Sequence, residues 1–86
     1  MTKKKQPALK FGSPEVIKEY RRKNGLNQSE FWSRVGVTQS GGSRYESGRN
    51  IPRPVQLLLQ LTYSTDAQAG AMLEWLRDRT SGNGAK

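Results

Sequence analysis

Apolar residues in this chain recur three and four positions apart, in short bursts broken by Gly, Pro, Asn and Ser. That spacing is helical, and no stretch alternates with the period of a strand. Ser13-Pro14 opens the first burst, since Ser caps a helix and Pro suits its first turn. Val16, Ile17 and Tyr20 then share a face, and Asn24-Gly25 closes a helix over 14–24. Asn27, with Glu30 three residues on, forms a capping-box pattern ahead of Phe31, Trp32 and Val35. This predicts a second helix over 28–35, stopped by Gly36. Val37 as a staple and Thr38 as an N-cap begin a third helix over 39–47, whose one large apolar anchor is Tyr45. After a Pro-containing loop, Pro54 opens a fourth helix over 54–64. Val55, Leu57, Leu58, Leu59, Leu61 and Tyr63 make it apolar nearly all round, which places it at the centre of the core. Asp66 is placed to cap a fifth helix near Thr65, over 66–79, carrying Ala67, Ala71, Met72, Trp75 and Leu76. Five helices with short connections make an all-α domain over 13–80.

The flanks differ in character. Residues 1–12 hold Lys3, Lys4, Lys5 and Lys10 with little to bury, which reads as a basic flexible arm. Such an arm runs along phosphates or enters a minor groove, or it is a loose terminus with no contact at all. Residues 81–86 are Gly-rich and basic and read as a disordered tail. The fifth helix leaves two roles open: Met72, Trp75 and Leu76 either form a two-fold interface or cover the domain's own small core.

Composition narrows the chemistry. The chain has 86 residues, enough for one small domain. It contains neither Cys nor His, which removes disulfides, thiolate metal sites, and the commonest general base and metal ligand. The seven acidic residues show no catalytic pairing, so neither an enzyme, nor a metal, nor a cofactor is indicated. The formal charge of +8 points to a polyanionic partner, with nucleic acid ahead of an anionic membrane surface. No apolar run approaches the roughly 18 residues needed to span a bilayer. The basic start lacks the apolar region of a secretory signal, so the cytoplasm is the expected location.

Gly36-Val37-Thr38 joins two short helices by a tight Gly-containing turn, the spacing of a helix-turn-helix. In that arrangement the first helix crosses a phosphate backbone while the second enters the major groove. The third helix begins with short polar groups suited to base edges: Gln39, Ser40, Ser43 and Arg44. Gln can contact adenine in bidentate fashion, and Arg guanine. Positions 40, 43, 44 and 47 share one face without a large apolar residue, with Gln39 at its edge.

Arg21-x-x-x-Gly25-Leu26-x-Gln28, Gly36 in the turn, and Tyr45-Glu46-x-Gly48 together resemble the phage repressor and Cro-type (Xre family) helix-turn-helix. The resemblance covers roughly residues 13–64 and implies a compact, lambda-repressor-like fold. It implies base contacts by Gln39, Ser40, Ser43 and Arg44. It implies backbone contacts by Asn27, Gln28, Thr38, Arg49, Asn50 and Arg53, with Gln28 also bracing Gln39. Arg21 would pair with Glu46, tying the first helix to the end of the third. Proteins of this kind act as homodimers on near-palindromic double-stranded sites.

The chain departs from the family pattern at two places. Trp32 stands where a small residue is usual, and Gly42 where a branched apolar residue is usual. Two adjacent glycines, Gly41 and Gly42, each cost a helix about 1 kcal/mol against Ala. One explanation is a swap, in which the Trp32 indole fills the space opened by Gly42 and its burial offsets that cost. Gly41 then lies on the DNA side and permits close approach. The competing explanation is a loosened third helix that orders only on DNA. Three functions follow from the whole pattern. The leading one is a sequence-specific DNA-binding transcriptional regulator. A second is the antitoxin of a toxin–antitoxin pair, which would also bind a toxin protein and repress its own operon. A third is a basic adaptor for protein or membrane surfaces without a DNA role.

Overall fold

A computed structural model of the chain describes residues 6–83, in which five helices and no strand form. They are α1 (Pro14–Lys23), α2 (Gln28–Ser33), α3 (Gln39–Glu46), α4 (Arg53–Tyr63) and α5 (Asp66–Asn83). α1, α2 and α3 start where the sequence places them, and the other boundaries through α4 fall within two residues of those expected, as frayed ends do. α5 continues past 79, so Ser81–Asn83, expected in a disordered tail, are helical. Lys3, Lys4 and Lys5 of the expected arm, and residues 84–86, lie outside the described residues.

The caps explain where the helices start. Ser13 Oγ accepts the Val16 N–H at 3.4 Å, and Thr38 Oγ1 accepts that of Gly41 at 3.0 Å. Asn27 and Glu30 close a reciprocal capping box, at 2.8 and 2.9 Å. At α5 the cap is Thr65 rather than Asp66: Thr65 and Gln68 exchange side chain-to-backbone bonds at 3.1 and 3.2 Å. Asp66 occupies the first helical position, where its charge favours the positive end of the helix dipole.

An aromatic cluster holds α1, α2, α3 and α4 together. Phe31 stacks on Tyr63 with centroids 4.3 Å apart and planes 7° from parallel. Tyr20 lies 5.2 Å from Tyr63, and Trp32 meets Phe31 edge-on at 5.1 Å. Tyr45 reaches Trp32 from α3 at 5.4 Å. The Tyr63 hydroxyl donates to the Phe31 carbonyl at 2.6 Å, satisfying a group that the short α2 leaves over. Ile17, Val35, Ile51 and Leu59 complete this core.

α4 is less uniformly apolar in its surroundings than its sequence suggests. Leu58 is exposed, while Gln60 is buried at 1% exposure. Gln60 is satisfied by the segment ahead of α1: its Oε1 accepts the Lys10 N–H and its Nε2 donates to the Ala8 carbonyl, both at 3.0 Å. Phe11 follows, 3% exposed, with its ring 5.5 Å from Tyr20. Residues 8–11 of the expected flexible arm are therefore a strap across α4. α5 packs against α4, and Met72 and Trp75 are buried within the single chain.

Candidate nucleic-acid interface

The turn between α2 and α3 is set by backbone chemistry. Gly36 takes φ +77°, a left-handed conformation open to glycine, and lets the Val37 N–H reach back to the Trp32 carbonyl at 3.0 Å. The chain reverses there, and Thr38 immediately caps the next helix. α3 thus begins at Gln39, with Gln39, Ser40 and Arg44 exposed and Ser43 half-exposed on its outer face. Gly42, Tyr45 and Glu46 face inward.

Glu46 is the hub of the inner face. It is 3% exposed and accepts four hydrogen bonds. Arg21 donates through Nε to Oε2 at 2.9 Å and through Nη2 to Oε1 at 2.8 Å. Gln28 Nε2 donates to Oε1 at 3.2 Å, and Trp32 Nε1 to Oε2 at 2.8 Å. Burial pushes the Glu46 carboxyl up, but the hydrogen bonds from Arg21, Trp32 and Gln28 and the Arg21 charge outweigh it, holding the group below the usual glutamate range. Arg21 Nη1 also donates to the Leu26 carbonyl at 3.0 Å, so one guanidinium joins α1, the start of α2 and the end of α3. Gln39 Nε2 donates to Gln28 Oε1 at 2.7 Å, which connects the outer face to the hub.

The Trp32–Gly42 contact is a close fit. A Cβ added at Gly42 would lie 2.1 Å from Trp32 Cδ1 and 2.5 Å from its Nε1. The indole is fully buried and occupies the space that any side chain at 42 would need. With this packing both glycines lie within the helix Gln39–Glu46. Gly41 lies against the turn. A Cβ there would meet Val37 Cγ1 at 3.2 Å and Thr38 Oγ1 at 3.3 Å, so the crowding comes from the turn itself.

The remaining predicted positions flank α3. Asn27 is exposed, with its Oδ1 committed to the α2 cap. Thr38 is exposed with its hydroxyl oxygen engaged in the α3 cap. Arg49 and Asn50 are exposed in the loop after α3. Arg53, read as a loop residue, is the first residue of α4, and it contacts Gln6 Oε1. Ile51, inside this polar loop, is buried and anchors it, with its carbonyl accepting from Gln56 Nε2 at 2.9 Å. The Trp32–Glu46 hydrogen bond was not visible from spacing, because residues 14 positions apart meet only through the turn. Among the described residues, no helix is long and apolar enough to cross a membrane, and no acidic cluster could hold a metal ion.

The RsaL-like HTH domain family matches residues 18–62, a span that runs from α1 through the turn and nearly to the end of α4. No curated protein and no solved structure matches the chain. With α2, the Gly36 turn and α3 in this arrangement, the chain belongs to the RsaL-like HTH domain family and is a helix-turn-helix DNA-binding protein.

Proposed function

We propose that the protein is a sequence-specific transcriptional regulator that reads double-stranded DNA in the cytoplasm, docking as the phage repressor and Cro-type (Xre) proteins do. The observation that carries this reading is the outer face of α3. Gln39 is exposed yet held at 2.7 Å by Gln28, while Ser40 and Arg44 stand free of the core beside it. A polar face with no role in recognition has no need of a side chain pinned from a buried hub. Arg44 and Gln39 supply direct readout, each bidentate contact being worth about 1–3 kcal/mol against a wrong base. Ser40 and Ser43 complete the base-facing set. Asn27, Gln28, Thr38, Arg49, Asn50 and Arg53 grip phosphates on either side. Arg53 supports this, since a cation in the first turn of α4 opposes the helix dipole and gains from an anion placed there.

A single small headpiece binds weakly, so a homodimer on a near-palindromic operator completes the reading, with half-sites about one helical turn apart. Among the described residues, no feature of the fold favours the antitoxin alternative over this one. The test is selection of sites from a random duplex library at near-physiological salt, run beside Arg44→Ala. The expected outcome is an inverted repeat for the wild type and the loss of one base preference in the variant. Binding without enrichment, falling steeply with salt, would leave only a non-specific cationic surface.

A further inference from the structure

We propose that Trp32 is a positioning residue for base reading, acting through Glu46 and Gln28 on Gln39. The inference rests on the DNA-reading function above and adds to it a residue that touches no base. An ionised carboxylate only accepts hydrogen bonds. Each neighbour of Glu46 must therefore turn a donor toward it. Gln28 does so with its amide nitrogen, which aims its carbonyl at Gln39. Gln39 must answer with its own nitrogen. Its carbonyl and its second N–H are then left to face outward, an acceptor–donor pair that matches the major-groove edge of adenine. The direction of every amide in this relay is set by the charge on Glu46.

Trp32 holds the origin of the relay in place. Arg21 holds both carboxylate oxygens, and Trp32 Nε1 adds a second bond to Oε2 from α2, so a turn about the terminal bond costs Trp32's bond as well as those of Arg21. Gln28 holds Oε1 at 3.2 Å, the longest of the four bonds and the first to be lost if the carboxylate swings. Packing alone does not require this residue. Any apolar side chain of suitable size could fill the α2–α3 contact, but only Trp brings an indole N–H donor. Gly42 provides the room for it, since a Cβ there would fall 2.5 Å from that same nitrogen.

The test compares the wild-type chain, Trp32→Phe, Gln39→Ala and the double variant on the selected duplex and on duplexes substituted one base pair at a time. Trp32→Phe keeps an aromatic ring and removes the donor. It is expected to weaken discrimination by about fivefold at the base pair where Gln39→Ala abolishes it, the low end of what one bidentate contact supplies. Discrimination at the Arg44 base pair and the salt slope should stay as in the wild type. In the Gln39→Ala background, Trp32→Phe should have no further effect on base preference. If Trp32→Phe does not fold, Trp32→Ala with Gly42→Ile refills the contact without a donor and serves the same comparison. A loss spread evenly over all base pairs, or one that persists without Gln39, reduces Trp32 to packing and overturns the relay. So does intact discrimination in Trp32→Phe. A wild type with no base preference at all overturns the DNA-reading function itself, and the relay with it.

Discussion

Gly42 shows how one missing atom sets a local architecture. Its neighbour across the α2–α3 contact is the Trp32 indole, and a Cβ would sit 2.1 Å from Cδ1, well inside contact distance. Gly42→Ala ordinarily favours a helix by about 1 kcal/mol. Here the indole must move, and a fully buried ring has no room to do so cheaply. The overpacking cost of about 1–3 kcal/mol should exceed the helix gain, lowering Tm by several degrees in a domain of this size. Thermal unfolding of Gly42→Ala checks this, and an unchanged or higher Tm would sink it. The large Trp32 and the absent side chain at Gly42 were legible in the sequence as a volume exchange. The hydrogen bond that comes with it was not, because an N–H direction depends on the crossing of two helices, which no local pattern encodes.

At the scale of elements, capping chemistry was the most readable layer. Ser13, Asn27 and Thr38 each cap the helix their sequence context announces, because the competing groups are all within four residues. At α5 the charged Asp66 masks the true cap, although Thr65 with Gln68 has the same box spacing as Asn27 with Glu30. The strap before α1 is hidden from the sequence pattern for a different reason. Four lysines around it lower its apparent hydrophobicity, and its contacts are made with α4, some 50 positions away. Phe11 is its anchor, at 3% exposure in the aromatic cluster. Phe11→Ala should cost about 3–5 kcal/mol, the range for buried Phe truncation, and much of the stability of so small a domain. Urea unfolding reads this as a lower midpoint at an unchanged slope. A shift below about 1 kcal/mol would mean that the strap is not part of the cooperative unit.

For the molecule as a whole, charge and fold meet at Glu46. The chain carries +8, so lowering the pH adds to an existing self-repulsion as the seven acidic residues protonate. Most of those carboxylates are exposed, whereas Glu46 is buried and joined to α1, α2 and α3 through Arg21, Gln28 and Trp32. Its folded pKa lies below the ordinary value of 4.5. Between those two values the unfolded chain binds more protons than the folded one, so stability rises with pH there. The contribution is fully present above pH 4.5 and is lost as the pH falls through the folded value. Protonation would do more than remove an ion pair. A neutral carboxyl has a donor of its own, which no longer fits four donors pointed at it. Denaturant midpoints should therefore hold steady from neutral pH to about 5 and drop below 4.5. Glu46→Gln should be less stable at neutral pH, since it leaves Arg21 without its counter-charge, but its midpoint should fall less steeply in acid. Parallel slopes for the two proteins below pH 4.5 would assign acid unfolding to the general rise in positive charge. A shallower slope for Glu46→Gln would assign it to the hub that ties α3 to the rest of the fold.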